Sequence, residues 1–339
     1  MFSTQLFHKL LILRLPGIGP VKYHELIRKF GDATAVVESL QISDSHADRV
    51  QREMDAALQM GIKYISDDSP EYPANLNKVK NHPPIISVRG NLESLRQPAT
   101  AIVGTRNATA AGMGFVFNLA RAFADNGYSI VSGMAMGTDT AAHRGALASG
   151  RDLVTIAVLA GGVDYIWPLE NERLYHSILE RGALVSEMPV GFKPVANNFV
   201  QRNRLIAGIA EKLILGEADL KSGSVYTAGF SIEYGRPVHA IPGFPGDSRN
   251  AGPNKMIRDG TAKLCTGVAD FFKMGKEKVK TENKKSGRNS ILDFLGISPV
   301  SESVLAKLAE KDIDEIKRDL IVLEIDGLIR KTDSGYVKI

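Results

Sequence analysis

Thr100-Ala101-Ile102-Val103-Gly104-Thr105-Arg106-Asn107-Ala108-Thr109-Ala110-Ala111-Gly112-Met113-Gly114 is the stretch that decides the fold. A short run of small and β-branched residues stops at a glycine, and helix formers resume at Ala110, so a buried strand feeds a helix through a close turn. The same punctuation repeats downstream. Strand-length apolar runs stand at 100–103, 129–131, 153–159, 183–186, 212–215 and 238–241, and helical stretches at 112–126, 138–149, 170–181, 203–210 and 225–234 separate most of them. Alternation of this kind specifies an α/β fold with a mostly parallel sheet and helices on both faces, doubly wound, with ligands beyond the carboxyl ends of the strands.

The first turn suits an anion. Glycine lets the backbone approach a phosphate, a helix start supplies unpaired N–H groups, and Arg106 adds a fork of donors. It is not a dinucleotide fingerprint, because the G-x-G-x-x-G spacing is missing and no acidic residue ends the second strand. Nicotinamide and flavin cofactors are disfavoured, and none is expected.

Further turns follow the other strands. Ser132-Gly133-Met134-Ala135-Met136-Gly137-Thr138-Asp139 is a second close-approach loop, with Asp139 expected to cap its helix. His143 reads as a packed histidine joining the two loops rather than as a catalytic group, since no partner stands near it in sequence. In Ala160-Gly161-Gly162-Val163-Asp164-Tyr165-Ile166-Trp167-Pro168, Trp167 either stacks on a base or packs against the sheet edge. Phe199-Val200-Gln201-Arg202-Asn203-Arg204 places two arginines around an asparagine at the expected head of a helix, with a ring three positions earlier. A DNA single strand, with close-spaced phosphates and unstacked bases, wants that combination. The counter-reading has Asn203 as a cap and one arginine in an internal ion pair. Leu220-Lys221-Ser222-Gly223-Ser224 and the Gly/Pro-rich 241–254 add two more donor-rich corners.

The remaining chain divides around this core. Residues 1–62 read as short helices joined at Leu15-Pro16-Gly17-Ile18-Gly19-Pro20, a hairpin that either offers N–H groups to phosphate or only packs on its neighbour. Residues 63–272 form the sheet domain, opening with a connector through Tyr64-Ile65-Ser66 and a buried strand near Ile85–Gly90. Residues 273–289 are a basic linker. In 290–339 three helices and a hairpin spell a winged helix, a fold that binds duplex DNA or serves as a protein contact.

Bulk properties narrow the classes. The 339 residues are 44% hydrophobic and 24% charged with a formal charge of +4, so the chain can bury more than one core and its total charge decides little. No stretch approaches a membrane span, and residues 1–15 lack the basic start and cleavage site of an export signal, so the expected location is the cytoplasm. One cysteine cannot make an internal disulfide, and seven histidines without paired spacing argue against a metal.

The ordered motifs LPGIGP, Tyr72-Pro73, Pro83-Pro84, Arg89-Gly90, GTR, SGMAMGTDTAAHRGAL, GGVDYIWP, Ser186-Glu187, FVQRNRLIAG, SGSVYTA and PG resemble those of the DNA-processing protein A family (DprA, also called Smf). The resemblance implies a helical domain like a sterile alpha motif, a Rossmann-like domain that dimerises and binds single-stranded DNA, and a C-terminal winged helix. It also implies protection of incoming single strands in natural transformation and loading of the RecA recombinase past single-strand-binding protein, without catalysis. Carried over residue by residue, the resemblance implies DNA contacts at Arg106, the loop around Gly133 to Gly137, Phe199, Arg202 and Arg204, with a family lysine matched to Lys193; the full set of expected DNA-binding positions is Gly104, Thr105, Arg106, Ser132, Gly133, Gly137, Lys193, Phe199, Arg202, Asn203 and Arg204. Met136 departs from the family's usual arginine, Trp167 from its tyrosine and Val200 from its proline. Two rival readings stand beside this one: a nucleotide hydrolase of the phosphoribohydrolase type, for which Glu187 and Asp164 are the available carboxylates, and a duplex-DNA regulator using its winged helix.

Overall fold

A computed structural model of the chain describes residues 3–272, 289–296, 299–309 and 311–338. The expected basic linker lies almost wholly outside the described residues. By its internal contacts the chain forms two units, Met1–Lys273 and Met274–Ile339.

The first unit opens with four helices, α1 (Thr4–Leu13), α2 (Pro20–Phe30), α3 (Ala33–Leu40) and α4 (Asp44–Gln59). Their boundaries are written in side chains: Ser3, Asp32 and Ser43 each accept an N–H from the first turn of the helix they precede, and Pro20 opens α2. Ile12, Tyr23, Ala33 and Val36 make a small core of their own. Leu10, Leu11, Val50 and Met54 instead join residues of the sheet and of a later helix, so the helical segment is packed onto the sheet domain.

The sheet domain runs β1 (Lys63–Ser66), α5 (Ala74–Asn77), β2 (Ile85–Gly90), β3 (Ala99–Val103), α6 (Ala110–Asp125), β4 (Ser129–Ser132), α7 (Thr138–Leu147), β5 (Thr155–Val158), α8 (Glu172–Arg181), β6 (Gly182–Ser186), α9 (Ala196–Ile209), β7 (Lys212–Leu215), α10 (Gly223–Glu233), β8 (Val238–Ala240), α11 (Ala251–Arg258) and β9 (Lys263–Leu264). Nine strands lie in the order β1-β2-β6-β5-β4-β3-β7-β8-β9, and β3 through β9 are parallel. The doubly wound, mostly parallel sheet is therefore as the residue pattern specified. Side chains alternate: Ala101, Val103, Val131, Leu213 and Leu215 face α9 and α10, whereas Ile102, Ile130 and Ile214 face α6 and α7.

One edge differs from expectation. Tyr64-Ile65-Ser66 is not a connector but β1, paired antiparallel with β2, which is itself antiparallel to β6. Two hydrogen-bonded strands thus extend the parallel core, and a four-residue run is too short to declare that pairing locally.

From β3 the chain builds β4, β5 and β6 to one side, then crosses to β7 on the other. Loops after β3 and β7 consequently part in opposite directions and open a crevice at the carboxyl ends of adjacent strands. The second unit holds α12 (Asn289–Phe294), α13 (Glu302–Leu308), α14 (Ile313–Ile325) and the hairpin β10 (Ile329–Thr332)–β11 (Gly335–Lys338), around Leu305, Ile316, Leu320 and Tyr336.

Candidate nucleic-acid interface

A cleft of about 640 Å³ occupies that crevice. Its walls are Gly104, Thr105 and Arg106 after β3, Ala135 and Asp139 after β4, one face of α9, and Ser222, Gly223 and Ser224 at the head of α10. Three loops distant in sequence meet there because β3 sits between β4 and β7.

Arg106 is exposed, and its guanidinium carbon stands 5.1 Å from the Trp167 ring centroid and 5.5 Å from that of Phe199. Those two half-buried rings pack 4.4 Å apart at 57°. The sequence offered stacking or edge packing for Trp167; the ring packs on Phe199 beneath a cation. A guanidinium over an aromatic face is held by the ring quadrupole while its N–H fork stays available to a phosphate.

Behind this mouth the cleft is wired internally. Arg202 is 6% exposed; its Nη1 donates to Gly133 O (2.8 Å) and to Val158 O, and its Nε to Asn203 Oδ1 (3.2 Å). A Cβ at Gly133 would lie 2.6 Å from both Nη atoms, so this glycine makes room for the guanidinium rather than for a phosphate. Gly137 takes φ +73°, and a Cβ there would meet Thr105 O and Arg106 O at 2.5 Å. Close approach of the two loops is thereby reserved, and Thr138 N–H and Oγ1 both bind Thr105 O at 3.2 Å.

Asp139 does not cap α7 as expected. Its Oδ2 accepts from Gly133 N–H (3.1 Å) and Ala135 N–H (3.3 Å), holding a loop in which Met134 takes φ +60°, a conformation that bulky residues rarely adopt. Asn171 Nδ2 reinforces it by donating to Met134 O (2.8 Å). Burial pushes the Asp139 carboxyl up, with Arg202 opposing, while burial and then the like charge of Arg106 push Arg202 down to about 10 against the pull of Asp139. His143 is fully buried, its Nδ1 donating to Thr155 Oγ1 (2.7 Å) because that hydroxyl already donates to Ile130 O; burial and Arg202 push it down to about 3. It packs, as the sequence suggested.

The expected contact set therefore separates. Gly104, Thr105, Arg106, Phe199, Arg202 and Asn203 line one cleft. Ser132 is buried and spends its hydroxyl on Ile102 O (2.7 Å), and Gly133 and Arg202 serve the cleft's inner frame. Arg204 follows the counter-reading of an arginine in an internal ion pair. The helix expected to begin near Asn203 begins at Ala196, so Phe199, Arg202, Asn203 and Ile206 share a face and Arg204 lies on another. There it pairs with Glu187 in a groove of about 510 Å³ formed with Leu13, Pro20, Lys80 and Met188. Lys193 is exposed beside Phe192, whose carbonyl accepts Gly162 N–H at 3.0 Å.

Sequence reasoning missed the Arg106–Trp167–Phe199 cluster and the second groove. Asn198 carried the missing signal: its Oδ1 accepts Val195 N–H (2.9 Å), the back-bond of a helix whose first turn starts there. Neither carboxylate named for the hydrolase reading is among the lining residues of the cleft. Glu187 is taken by Arg204 in the other groove, and Asp164 accepts Gly191 N–H at 2.9 and 3.0 Å.

Comparison with known proteins agrees with this architecture. Residues 3–56 match a DprA-like N-terminal HHH domain. Protein Smf of Synechocystis is 38% identical over 213 residues, 61% of this chain, and the chain spans about half of that relative, 53%. The crystal structure of DNA processing protein A from Streptococcus pneumoniae superposes with a TM-score of 0.66 at 32% identity, covering 80% of this chain and 97% of the other. That of Helicobacter pylori, described for its single-stranded DNA binding mode, gives 0.56 at 30% identity over 62% of this chain and 94% of the other. Since residues 63–276, well over half of the chain, match the family of DNA recombination-mediator protein A, the chain belongs to that family.

Proposed function

We propose that the cleft beyond β3 and β7 is a track for single-stranded DNA, bound without chemical change and presented to the RecA recombinase. The observation that carries the reading is the exposed Arg106 guanidinium lying over both Trp167 and Phe199 at the mouth of a cleft whose far wall is the start of α10. Phosphates would run past Arg106 and the Ser222–Ser224 backbone, and bases would meet the aromatic pair. Arg202 and Asp139 then act from beneath, fixing the loop that shapes the floor. The Helicobacter pylori relative is described for binding single-stranded DNA, which supports the same ligand for this chain. Fluorescence anisotropy with a labelled oligothymidine tests it: log affinity falls with log salt at about −0.7 per contacted phosphate, and single strands outcompete duplex of equal length. A flat salt response refutes the electrostatic track, and a duplex preference moves the site to the C-terminal unit. A homodimer through the sheet domain, engagement of RecA and displacement of single-strand-binding protein complete the proposal. Its readout is RecA ATPase on strands precoated with single-strand-binding protein, which rises only when this protein is added.

A further inference from the structure

Away from the cleft, three side chains remote in sequence converge where the helical segment meets the sheet domain. His24 comes from α2, Asp67 follows β1, and His82 precedes β2; each offers one ligand atom, and the three atoms lie within 4.8 Å of one another. All three are half-buried. Among the described residues this is the one such grouping of three or more His, Cys, Asp or Glu side chains.

The rings are already oriented. His82 Nδ1 donates to Val79 O (3.0 Å), which leaves Nε2 facing Asp67 Oδ2 at 3.2 Å. A histidine bonded through one nitrogen to a backbone carbonyl and presenting the other beside a carboxylate is the arrangement found around bound metals. His24 Nε2 donates to His82 O (2.9 Å), and the two rings stand 4.8 Å apart at 61°. Charge is compatible as well. Asp67 and Asp68 face Lys9 at 2.7 and 3.2 Å, and Asp67 also faces His82 at 3.2 Å; once His82 gives up its proton to the metal, two carboxylates against one ammonium leave one negative charge for a divalent ion to neutralise. Ligand atoms around a tetrahedral ion at about 2.0–2.1 Å stand roughly 3.3 Å apart, so contraction by about 1.5 Å or less completes the site.

We propose that His24, Asp67 and His82 bind a divalent transition metal of the zinc class, with water as the fourth ligand. Two imidazoles and a carboxylate select zinc, cobalt or nickel over magnesium or calcium. The ion clamps α2 to the sheet domain. Because Pro20 and Val21 open α2, and Lys80 and Asn81 adjoin His82, it also fixes the width of the second groove.

Cobalt(II) is the probe. Tag-free full-length protein, stripped with chelator and dialysed, is titrated with Co²⁺ and followed by visible d–d absorption. One equivalent of tetrahedral colour is expected, bleached by Zn²⁺, lost in His24→Gln and in His82→Gln, and kept in His176→Gln, a change at an exposed position on α8. Thermal melts in chelator establish that each variant is folded; if His82→Gln is not, His24→Gln, whose ring makes only a carbonyl bond here, decides. Zn²⁺ raises the melting temperature of the parent and not of that variant. Absence of colour in the parent, or colour surviving His24→Gln, overturns the proposal.

Discussion

Replacing Arg106 and Arg202 separately divides binding from folding. Arg106 is exposed, and its contacts are the faces of Trp167 and Phe199, so Arg106→Gln removes a cation without disturbing a buried partner. One phosphate contact on a single strand is worth about 0.7 units of salt slope, which at about 0.15 M salt is roughly a 4-fold change in affinity. The lost charge-assisted hydrogen bond, screened at a surface, raises this to about 10-fold. Arg202 is different in kind. Arg202→Met strips donors from the carbonyls of Gly133 and Val158 and leaves the buried Asp139 without its neighbouring cation. That costs about 3–5 kcal/mol of folding, a fall in melting temperature of roughly 10 °C for a unit of this size. Anisotropy titrations across a salt series and thermal melts read the two quantities independently. The reasoning fails if Arg106→Gln binds with parental affinity and slope, or if Arg202→Met melts with the parent yet no longer binds, since the buried guanidinium would then be a DNA contact.

Phe199→Ala should remove about 1–3 kcal/mol of single-strand affinity if the ring receives a base, with the loss seen equally for different sequences in anisotropy. Gly133→Ala drives a Cβ to 2.6 Å from the Arg202 guanidinium; calorimetry should show about 1–3 kcal/mol of destabilisation, and a parental melt would refute the internal role of this glycine. His143 is held down to about 3, whereas an unfolded histidine takes a proton near pH 6.5, so the unfolded chain binds more protons between those values. Its contribution to stability is thus lost as pH falls below about 6.5, by about 1.4 kcal/mol per unit, and His143→Asn should flatten that slope in melts from about pH 7 to 5. Burial pushes the Cys265 thiol up to about 12, so a disulfide reagent should leave the native protein unlabelled near neutral pH and label it on denaturation.

How much could be read in advance follows from how local each signal is. Ala101, Ile102 and Val103 alternate faces within one strand, and the glycine turn after them is contiguous, so strand, turn and helix were legible together. The antiparallel edge was not, because Tyr64–Ser66 finds its partners about twenty residues on, at Ile85–Ser87, and β2 finds β6 nearly a hundred residues on. Nor was the start of α9. Its first turn carries Val195 where a hydroxyl or carboxamide cap is usual, and the capping bond comes back from Asn198 instead.

That displaced start governs the site. In a helix each residue turns about 100°, so from Phe199 the chain reaches Arg202 at about 300°, Asn203 at about 40° and Ile206 at about 340°, a single stripe, while Arg204 falls at about 140°. A loop could have turned both arginines toward one strand of DNA; a helix cannot. The division is visible in their partners, since Arg202 bonds to Gly133 and Val158 on the cleft side and Arg204 to Glu187 on the other. The exposed cation therefore has to come from another segment. Arg106 provides it because β3 is central in the sheet and its turn opens opposite α9, which places a guanidinium from the first turn over a ring from the helix that makes the crossover.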